Sequence, residues 1–304
     1  MKRGTVDLLT CLLSAKPVGL KVDSKIFMYA DDTAIVVSHD KLKLAEQTLQ
    51  KCFDRLQQWS HDNGLIINPG KTKVLHIRSP HFSTRDINIV AHDYNCIHNS
   101  LNFCYCTQVV EKVEAQKYLG VVIDSRMKWD VHIKGLLKRL RSSSQCIYML
   151  RSCLNLKPLI TVYQALVESL IRYGLLSWGN TSRSYLEQVE GVQGRVLRAI
   201  SQFKSDKLSD YHKHFNILPV SKLFKFIALV RYYKAEEYRQ RNIHTHNTRH
   251  NRYITYQYSN DYGRQLLTYT IPHLLNTLPQ HLQYTHTHTN TFKKDLRRWL
   301  LTEV

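Results

Sequence analysis

The sequence predicts an α+β fold: an antiparallel sheet with a helix on one face, followed by a helical and basic second half. Three observations predict it. The apolar runs Ile26 to Tyr29 and Ala34 to Val37 flank the turn Ala30 to Thr33, the pattern of two short strands in a hairpin. Ala45, Leu49, Cys52, Phe53 and Leu56 then recur at helical spacing, with Trp59 close to the same stripe. Beyond His132 the period is helical, and Val131 to Val167 holds no acidic residue.

Taken in order, residues 1 to 24 carry no clear periodicity. After the hairpin, Asp40 is a good N-cap for the first helix, which should stop near Asn63-Gly64. Leu65 to Ile67 restarts as a strand, Asn68-Pro69-Gly70 turns, and Thr72 to Ile77 is another strand. Residues 78 to 115 are polar and read as an inserted loop region with one short hairpin. Tyr118 to Asp124 reads as a strand containing Gly120. Ile133, Leu136, Leu137, Leu140, Ile147 and Leu150 make an apolar helical stripe, with Lys134, Lys138 and Arg141 on another face. Further helices are expected at 158 to 172, 184 to 203, 219 to 240, and from Asn290 to Leu301.

The chain of 304 residues is 43% hydrophobic, enough for one or two packed domains. Its 43 Lys plus Arg against 24 Asp plus Glu leave +19, which points to a polyanionic partner, RNA or DNA. The basic residues are spread without a cluster beside an apolar anchor, and no apolar run reaches the length of a membrane span, so no membrane is expected. Lys2 and Arg3 before Leu8 to Ala15 imitate a short signal peptide. Asp7 opens that stretch, however, and no convincing cleavage site follows, so the expected location is the nucleus or cytoplasm, not outside the cell. Seven cysteines with no Cys-x-x-Cys pair argue against a disulfide framework.

The chemistry concentrates at Asp31 and Asp32. A turn chosen for stability would use Asn-Gly or Asp-Gly, yet here two carboxylates stand side by side without glycine. Such charges repel unless something positive neutralises them, and magnesium is a natural hard counter-charge for oxygen ligands. Two such ions would clamp the attacking and leaving oxygens of an in-line phosphoryl transfer. The plainer reading is an ordinary acidic surface turn.

Tyr29-Ala30-Asp31-Asp32, within Ile26 to Ile35, resembles the motif C hairpin of reverse transcriptases. Later blocks agree in order. Trp59-Ser60 through Asn63-Gly64-Leu65, and Asn68 to Lys73, resemble motif D of the non-LTR, LINE-type, Jockey-like retrotransposon enzymes. Lys117 to Asp124 resembles motif E, the primer-grip strand, and Lys128-Trp129-Asp130-Val131-His132-Ile133 resembles the entry to the thumb. Arg172-Tyr173-Gly174, Trp178-Gly179 and Leu186 to Ile200, with Gln193, Arg195, Leu197 and Arg198, continue the pattern. The tail matches more loosely at Asn247-Thr248-Arg249, Leu275 to Pro279 and Phe292-Lys293-Lys294. The family usually has Trp where Leu275 stands.

The resemblance implies an RNA-directed DNA polymerase (a nucleotidyltransferase) that uses magnesium, an RNA template and a DNA primer. It implies the C-terminal part of a right-hand palm over 26–128, a helical thumb and connection over 129–240, and a basic His- and Tyr-rich extension over 241–304, with 1–25 unassigned. Asp31 would be a metal ligand, with Asp32 a second, weaker or structural one. Tyr29 would sit beside the primer end, and Lys71 would donate a proton to departing pyrophosphate, although Lys73 competes for that role. Tyr118, Leu119 and Gly120 would position the primer strand, and Lys134, Lys138 and Arg141 would track phosphates. Bland alternatives stand beside these roles: a solvated turn lysine, a core strand, a solvated helix face.

One departure matters. The family's site also needs the Asp-x-x-x-Ala-Phe-Asp of motif A and the Gly-x-x-Gln-Gly of motif B. Asp7 and Asp23 are the only carboxylates before the hairpin, and neither sits in such a context. The expectation is an incomplete site, inactive as an isolated chain and requiring an N-terminal polymerase half. The alternative is a non-catalytic nucleic-acid-binding remnant of a transposable element. Cys96, Cys104 and Cys106 with His92 and His98 match no strong zinc template, so loop or core cysteines are expected there instead of zinc. His244, His246, His250, His286 and His288 read as low complexity.

Overall fold

The computed structural model describes residues 5–6, 8–14, 23–78, 87–92, 108–234, 253, 255, 257, 261–279, 281–282 and 289–302. Cys96, His98, Cys104, Cys106, the five tail histidines and Asn247-Thr248-Arg249 lie outside the described residues. The chain divides into two compact units, 1–132 and 133–304. Strands belong to the first and helices dominate the second, a segregated mixture of α and β.

The first unit holds β1 (Thr5–Val6), β2 (Leu8–Ser14), β3 (Asp23–Tyr29), β4 (Asp32–Ser38), α1 (Leu42–Asp62), β5 (Ile66–Ile67), β6 (Lys73–Ile77), β7 (Glu111–Val113), β8 (Ala115–Tyr118) and β9 (Val121–Asp124). Its main sheet runs in the order β3-β4-β2-β6-β7. Only β3 and β4 pair antiparallel; β2 lies parallel to both β4 and β6, and β6 parallel to β7. The expected antiparallel sheet is therefore corrected to a mixed one. The reason lies in two places. The 21-residue α1 between β4 and β6 is a crossover, which parallel strands require. The apolar run of β2 lacks alternation, as strands inside parallel sheets do, so the N-terminal stretch showed no period.

Helix α1 lays Ala45, Leu49, Phe53 and Leu56 against Ile35, Val37 and Val74, which are fully or nearly fully buried. Its N-cap is Lys41, with no side-chain bond, not Asp40. Trp59 is 46% exposed, and the last inward positions go to Gln57 and Ser60. The polar choice has a cause: Gln50 and Gln57 use their amides as backbone substitutes. Gln50 donates to the Val90 carbonyl (2.9 Å) and accepts from the Val90 N–H (2.8 Å). Gln57 does the same for His92 (3.1 and 3.3 Å), and Glu46 accepts from the Asn88 N–H (2.7 Å). A half-buried segment is thus satisfied by a helix instead of a strand. On its other side the segment meets Val109 in an antiparallel bridge, a short piece of the hairpin expected there.

The second unit contains α2 (Asp130–Leu150), most of which falls beyond residue 132, and α3 (Leu156–Tyr163). A π turn over Gln164–Glu168 leads into α4 (Ser169–Arg172). Then come α5 (Leu175–Trp178), α6 (Arg183–Ile200), α7 (Leu208–Phe215), α8 (Val220–Lys234), α9 (Asp261–Gln265), α10 (Leu267–Thr277) and α11 (Thr289–Thr302). The α2 stripe Ile133, Leu136, Leu137, Leu140 and Ile147 is buried, with Ser144 added and Leu150 only half-buried. Gly174 breaks the chain between α4 and α5 at φ 63°, and Gly179 meets Phe224 so closely that a Cβ would lie 2.4 Å from its ring. Both positions explain structurally a block that the sequence marked only by resemblance. Among the described residues no helix is long and apolar enough to cross a membrane.

Candidate active site

The hairpin of β3 and β4 is in register from Asp23 opposite Ser38 to Tyr29 opposite Asp32, so Ala30 and Asp31 form a two-residue turn. Ala30 has φ 53°, a left-handed value that a residue with a Cβ adopts at a cost of about 1–2 kcal/mol. The neighbouring strands hold it there. Thr33, Ala34, Ile35 and Val37 are buried, because β4 lies between β3 and β2. β3 is the sheet edge, and Ile26 to Tyr29 are each half or more exposed. Asp31 is exposed and Asp32 half-buried, so the carboxylates stand at the end of an anchored strand with open space on the edge side. Asp23 begins β3 at the far end, about 20 Å along the strand, and does not join the turn.

The parallel strands bring a second element to the same end of the sheet. Ile35 and Val74 both pair with Cys11 of β2. β4 begins at Asp32 and β6 at Lys73, and both run parallel to β2, so the turn holding Lys71 precedes β6 at the end of the sheet where Asp32 opens β4. Lys71 is exposed on a turn closed by the Asn68 carbonyl, which accepts from the N–H groups of Lys71 (3.2 Å) and Thr72 (3.1 Å) and from the Thr72 hydroxyl (2.8 Å). Lys73 is engaged otherwise: it pairs with Glu111 across β6 and β7.

The stretch read as one strand, Tyr118 to Asp124, is a hairpin. β8 and β9 pair antiparallel through the turn Leu119-Gly120. Both turn residues have positive φ, 45° and 82°, the requirement of a type I′ turn, which overrode the apolar run. Tyr118 is half-buried, and its phenol titrates above the usual range because of burial first and the negative charge of Asp32 second. Tyr118 thus lies within electrostatic reach of Asp32. Leu119 is half-buried and Gly120 exposed. On α2, Lys134, Lys138 and Arg141 are all exposed.

Sequence reasoning missed one organiser. Asp124, 7% exposed, accepts from the N–H groups of Arg126 (3.0 Å), Lys128 (3.0 Å) and Trp129 (2.7 Å). It supports Met127 and Trp129 at positive φ and buries the Trp129 ring ahead of α2. An Asp followed by a polar turn before a helix is the available signal. Among the described residues no group of three or more His, Cys, Asp or Glu is placed to hold a metal. The two adjacent turn carboxylates still offer the hard oxygen donors that magnesium takes, one or two at a time, alongside substrate phosphates.

Residues 6–123, the span holding the carboxylate hairpin, α1, the Lys71 turn and most of the β8–β9 hairpin, match the model of the reverse transcriptase (RNA-dependent DNA polymerase) family. The first unit thus carries a reverse transcriptase segment. The chain is similar to the RNA-directed DNA polymerase from mobile element jockey of Drosophila melanogaster, 26% identical over 182 residues, which are 59% of this chain and 18% of that protein. It is similar to the probable RNA-directed DNA polymerase from transposon BS of the same fly, 26% identical over 57% of this chain and 18% of that protein. A third relative is the probable RNA-directed DNA polymerase from transposon X-element, 32% identical over 30% of this chain and 10% of that protein. These relatives make the chain a relation of the non-LTR retrotransposon reverse transcriptases. It spans less than a fifth of the length of each of these three. No solved structure matches it.

Proposed function

We propose that this chain supplies the carboxylate hairpin, the proton donor and the primer-positioning hairpin of an RNA-directed DNA polymerase, within the C-terminal part of a right-hand palm. The observation that supports it best is the adjacent pair Asp31 and Asp32 on a strained, strand-anchored turn inside the span matched by the reverse transcriptase family. Strain at a turn that sequence logic would have given to glycine is the expected mark of a working site.

In this reading Asp31 and Asp32 hold divalent metal, of which magnesium is the natural choice for hard oxygen donors and phosphate. Bound there, the metal supplies charge stabilisation to the attacking and leaving oxygens. The residues of the chain do the rest. Tyr29 borders the primer end, and Tyr118, Leu119 and Gly120 orient the primer strand so that its 3′ oxygen is aligned with the α-phosphorus. Bond formation between that oxygen and the α-phosphorus of a deoxynucleoside triphosphate breaks the bond to pyrophosphate, the 3′ hydroxyl proton passes to water, and Lys71 protonates the departing pyrophosphate, a task for which an exposed ammonium at the same sheet end is suitably placed. Lys134, Lys138 and Arg141 neutralise template and primer phosphates. The partners are an RNA template, a DNA primer and a polypeptide bearing motifs A and B.

The test is primer extension on an RNA template with magnesium, with and without an added polypeptide carrying motifs A and B, comparing the chain with Asp31→Asn. Extension that the substitution abolishes supports the reading. Folded chain that binds the hybrid and extends nothing under either condition replaces it with the second reading, a non-catalytic nucleic-acid-binding remnant, which the exposed Lys134, Lys138 and Arg141 of α2 favour.

A further inference from the structure

Three segments of the second unit meet at a cleft of about 680 Å³, within the range of roughly 300–1,000 Å³ typical of ligand sites. Arg172 at the end of α4, Arg231 on α8, and Lys293, Lys294 and Arg297 on α11 line it together with apolar side chains that include Phe226. Five cations thus share one concavity. Among the described residues the nearby acids balance only Arg172 of the five. Glu168 is taken up by Arg172 (2.7 Å), and Asp295 pairs with Arg298, which is not among the lining residues (3.4 Å). Among the described residues no acid pairs with Arg231, Lys293 or Lys294.

Packing holds Arg297 in place. The Arg297 guanidinium lies over the Phe226 ring at 5.1 Å and donates to the Asn216 carbonyl at 3.1 Å. Partial burial and the charge of Arg172 pull its titration below the usual guanidinium range, so the cluster carries an electrostatic cost in the free protein. An anion entering the cleft offsets the repulsion between Arg172 and Arg297. Arginine forks on a partly dry, apolar wall suit phosphate oxygens better than a mobile counterion.

We propose that this cleft binds the phosphodiester backbone of a single-stranded nucleic acid, with Arg172, Arg231, Lys293, Lys294 and Arg297 meeting phosphates and the apolar wall meeting sugar. A concavity of this size takes a nucleotide or two of a flexible strand and cannot seat a rigid duplex. The site consists of residues that have no part in the catalytic reading, and it stands if that reading fails.

The test uses the full chain and fluorescence anisotropy with labelled single-stranded RNA and DNA of the same sequence, across a range of salt. The triple variant Arg231→Ala, Lys293→Ala, Lys294→Ala is expected to weaken binding at least tenfold near physiological salt. It should also flatten the log–log salt slope by about two, three lost contacts at roughly 0.7 each. Loss on one strand type alone identifies the source as RNA or DNA. An unchanged affinity and slope in a variant that melts like the parent overturns the proposal, as does a polyglutamate peptide that displaces the strand as well as unlabelled RNA does. Lys294→Glu, a single change at an exposed position, gives the same readout if the triple variant does not fold. The variant Lys134→Ala, Lys138→Ala, Arg141→Ala is measured beside it. It reports on the α2 face of the proposed function, so failure at one site is distinct from failure at the other.

Discussion

Tyr118 lies in the field of the Asp32 carboxylate, which adds to burial in holding the phenol above its ordinary titration range. The two belong to different hairpins. Replacing Asp32 by Asn removes the negative charge but keeps the shape. The Tyr118 titration should then move down, while the part due to burial remains. Carbon-13 NMR of labelled tyrosine, assigned with Tyr118→Phe, reads this directly. An unmoved Tyr118 resonance would separate the hairpins and remove Tyr118 from the site.

The turn Leu119-Gly120 makes a stability prediction that a primer role does not. Both residues have positive φ, and Leu119 carries a β-carbon and side chain that disfavour it. Leu119→Asn creates the Asn-Gly pair that type I′ turns prefer, and should stabilise the chain by about 1 kcal/mol. Gly120→Ala should destabilise it by a similar amount, roughly 1 kcal/mol. Urea unfolding measures both. If Leu119 also positions primer, the stabilised Leu119→Asn protein will bind hybrid more weakly. Stabilisation with undiminished binding would restrict Leu119 to a turn role.

Lys71 and Lys73 separate by a paired measurement. Lys73→Ala breaks the ion pair with Glu111, which is 64% exposed, so the cost should not exceed about 1 kcal/mol. Lys71→Ala, on the exposed turn, should leave the melting temperature unchanged and slow nucleotide incorporation in an extending assembly. The opposite pattern, with incorporation sensitive only to Lys73, would transfer the proton-donor role.

These sites differ in how far the sequence revealed them. The β3–β4 hairpin and α1 were legible because alternation and helical period are local signals. The helical stripe of α2 was legible for the same reason. The parallel placement of β2 was not, because pairing partners far along the chain leave no local trace and an apolar run without alternation is silent on its neighbours. Gln50 and Gln57 read as ordinary polar helix positions, and only the fold shows them satisfying the backbone of Val90 and His92. The cationic cleft was equally hidden, since Arg172, Arg231 and Arg297 come together only when three helices pack.

Gln193 is a further case, marked by resemblance and explained by packing. It is fully buried on α6 and donates its amide to the Tyr163 hydroxyl (2.9 Å) and the Leu218 carbonyl (3.1 Å). Burial foremost raises the Tyr163 phenol, keeping it neutral, and Gln193 ties it to the segment before α8. Gln193→Ala opens a cavity and strands two polar groups, and should cost roughly 2–4 kcal/mol. Chemical denaturation with the second-unit tryptophan Trp178 as probe checks it. A loss under about 1 kcal/mol would mean that water or repacking replaces the amide.

Two buried histidines set the pH dependence of stability. His212 is 3% exposed, its Nδ1–H donates to the Ile217 carbonyl (2.8 Å), and its Nε2 is buried without a hydrogen-bond partner. Burial foremost lowers its titration point below 6.5. His76 is lowered too, by burial first and then by Arg78 and Lys112. The sign follows. Above 6.5 both rings are neutral in folded and unfolded chain, and the full stability is present. As pH falls below that value, the unfolded chain takes up protons that the folded chain refuses, so stability declines until the folded rings also titrate. Each ring contributes at most about 1.4 kcal/mol per pH unit in that window. Urea midpoints measured from pH 7.5 downward should stay level and then fall below about 6.5, and His212→Gln should remove part of the fall. A curve that is flat through this window in the parent chain would place both imidazoles in contact with solvent or an acid, contrary to the packing described.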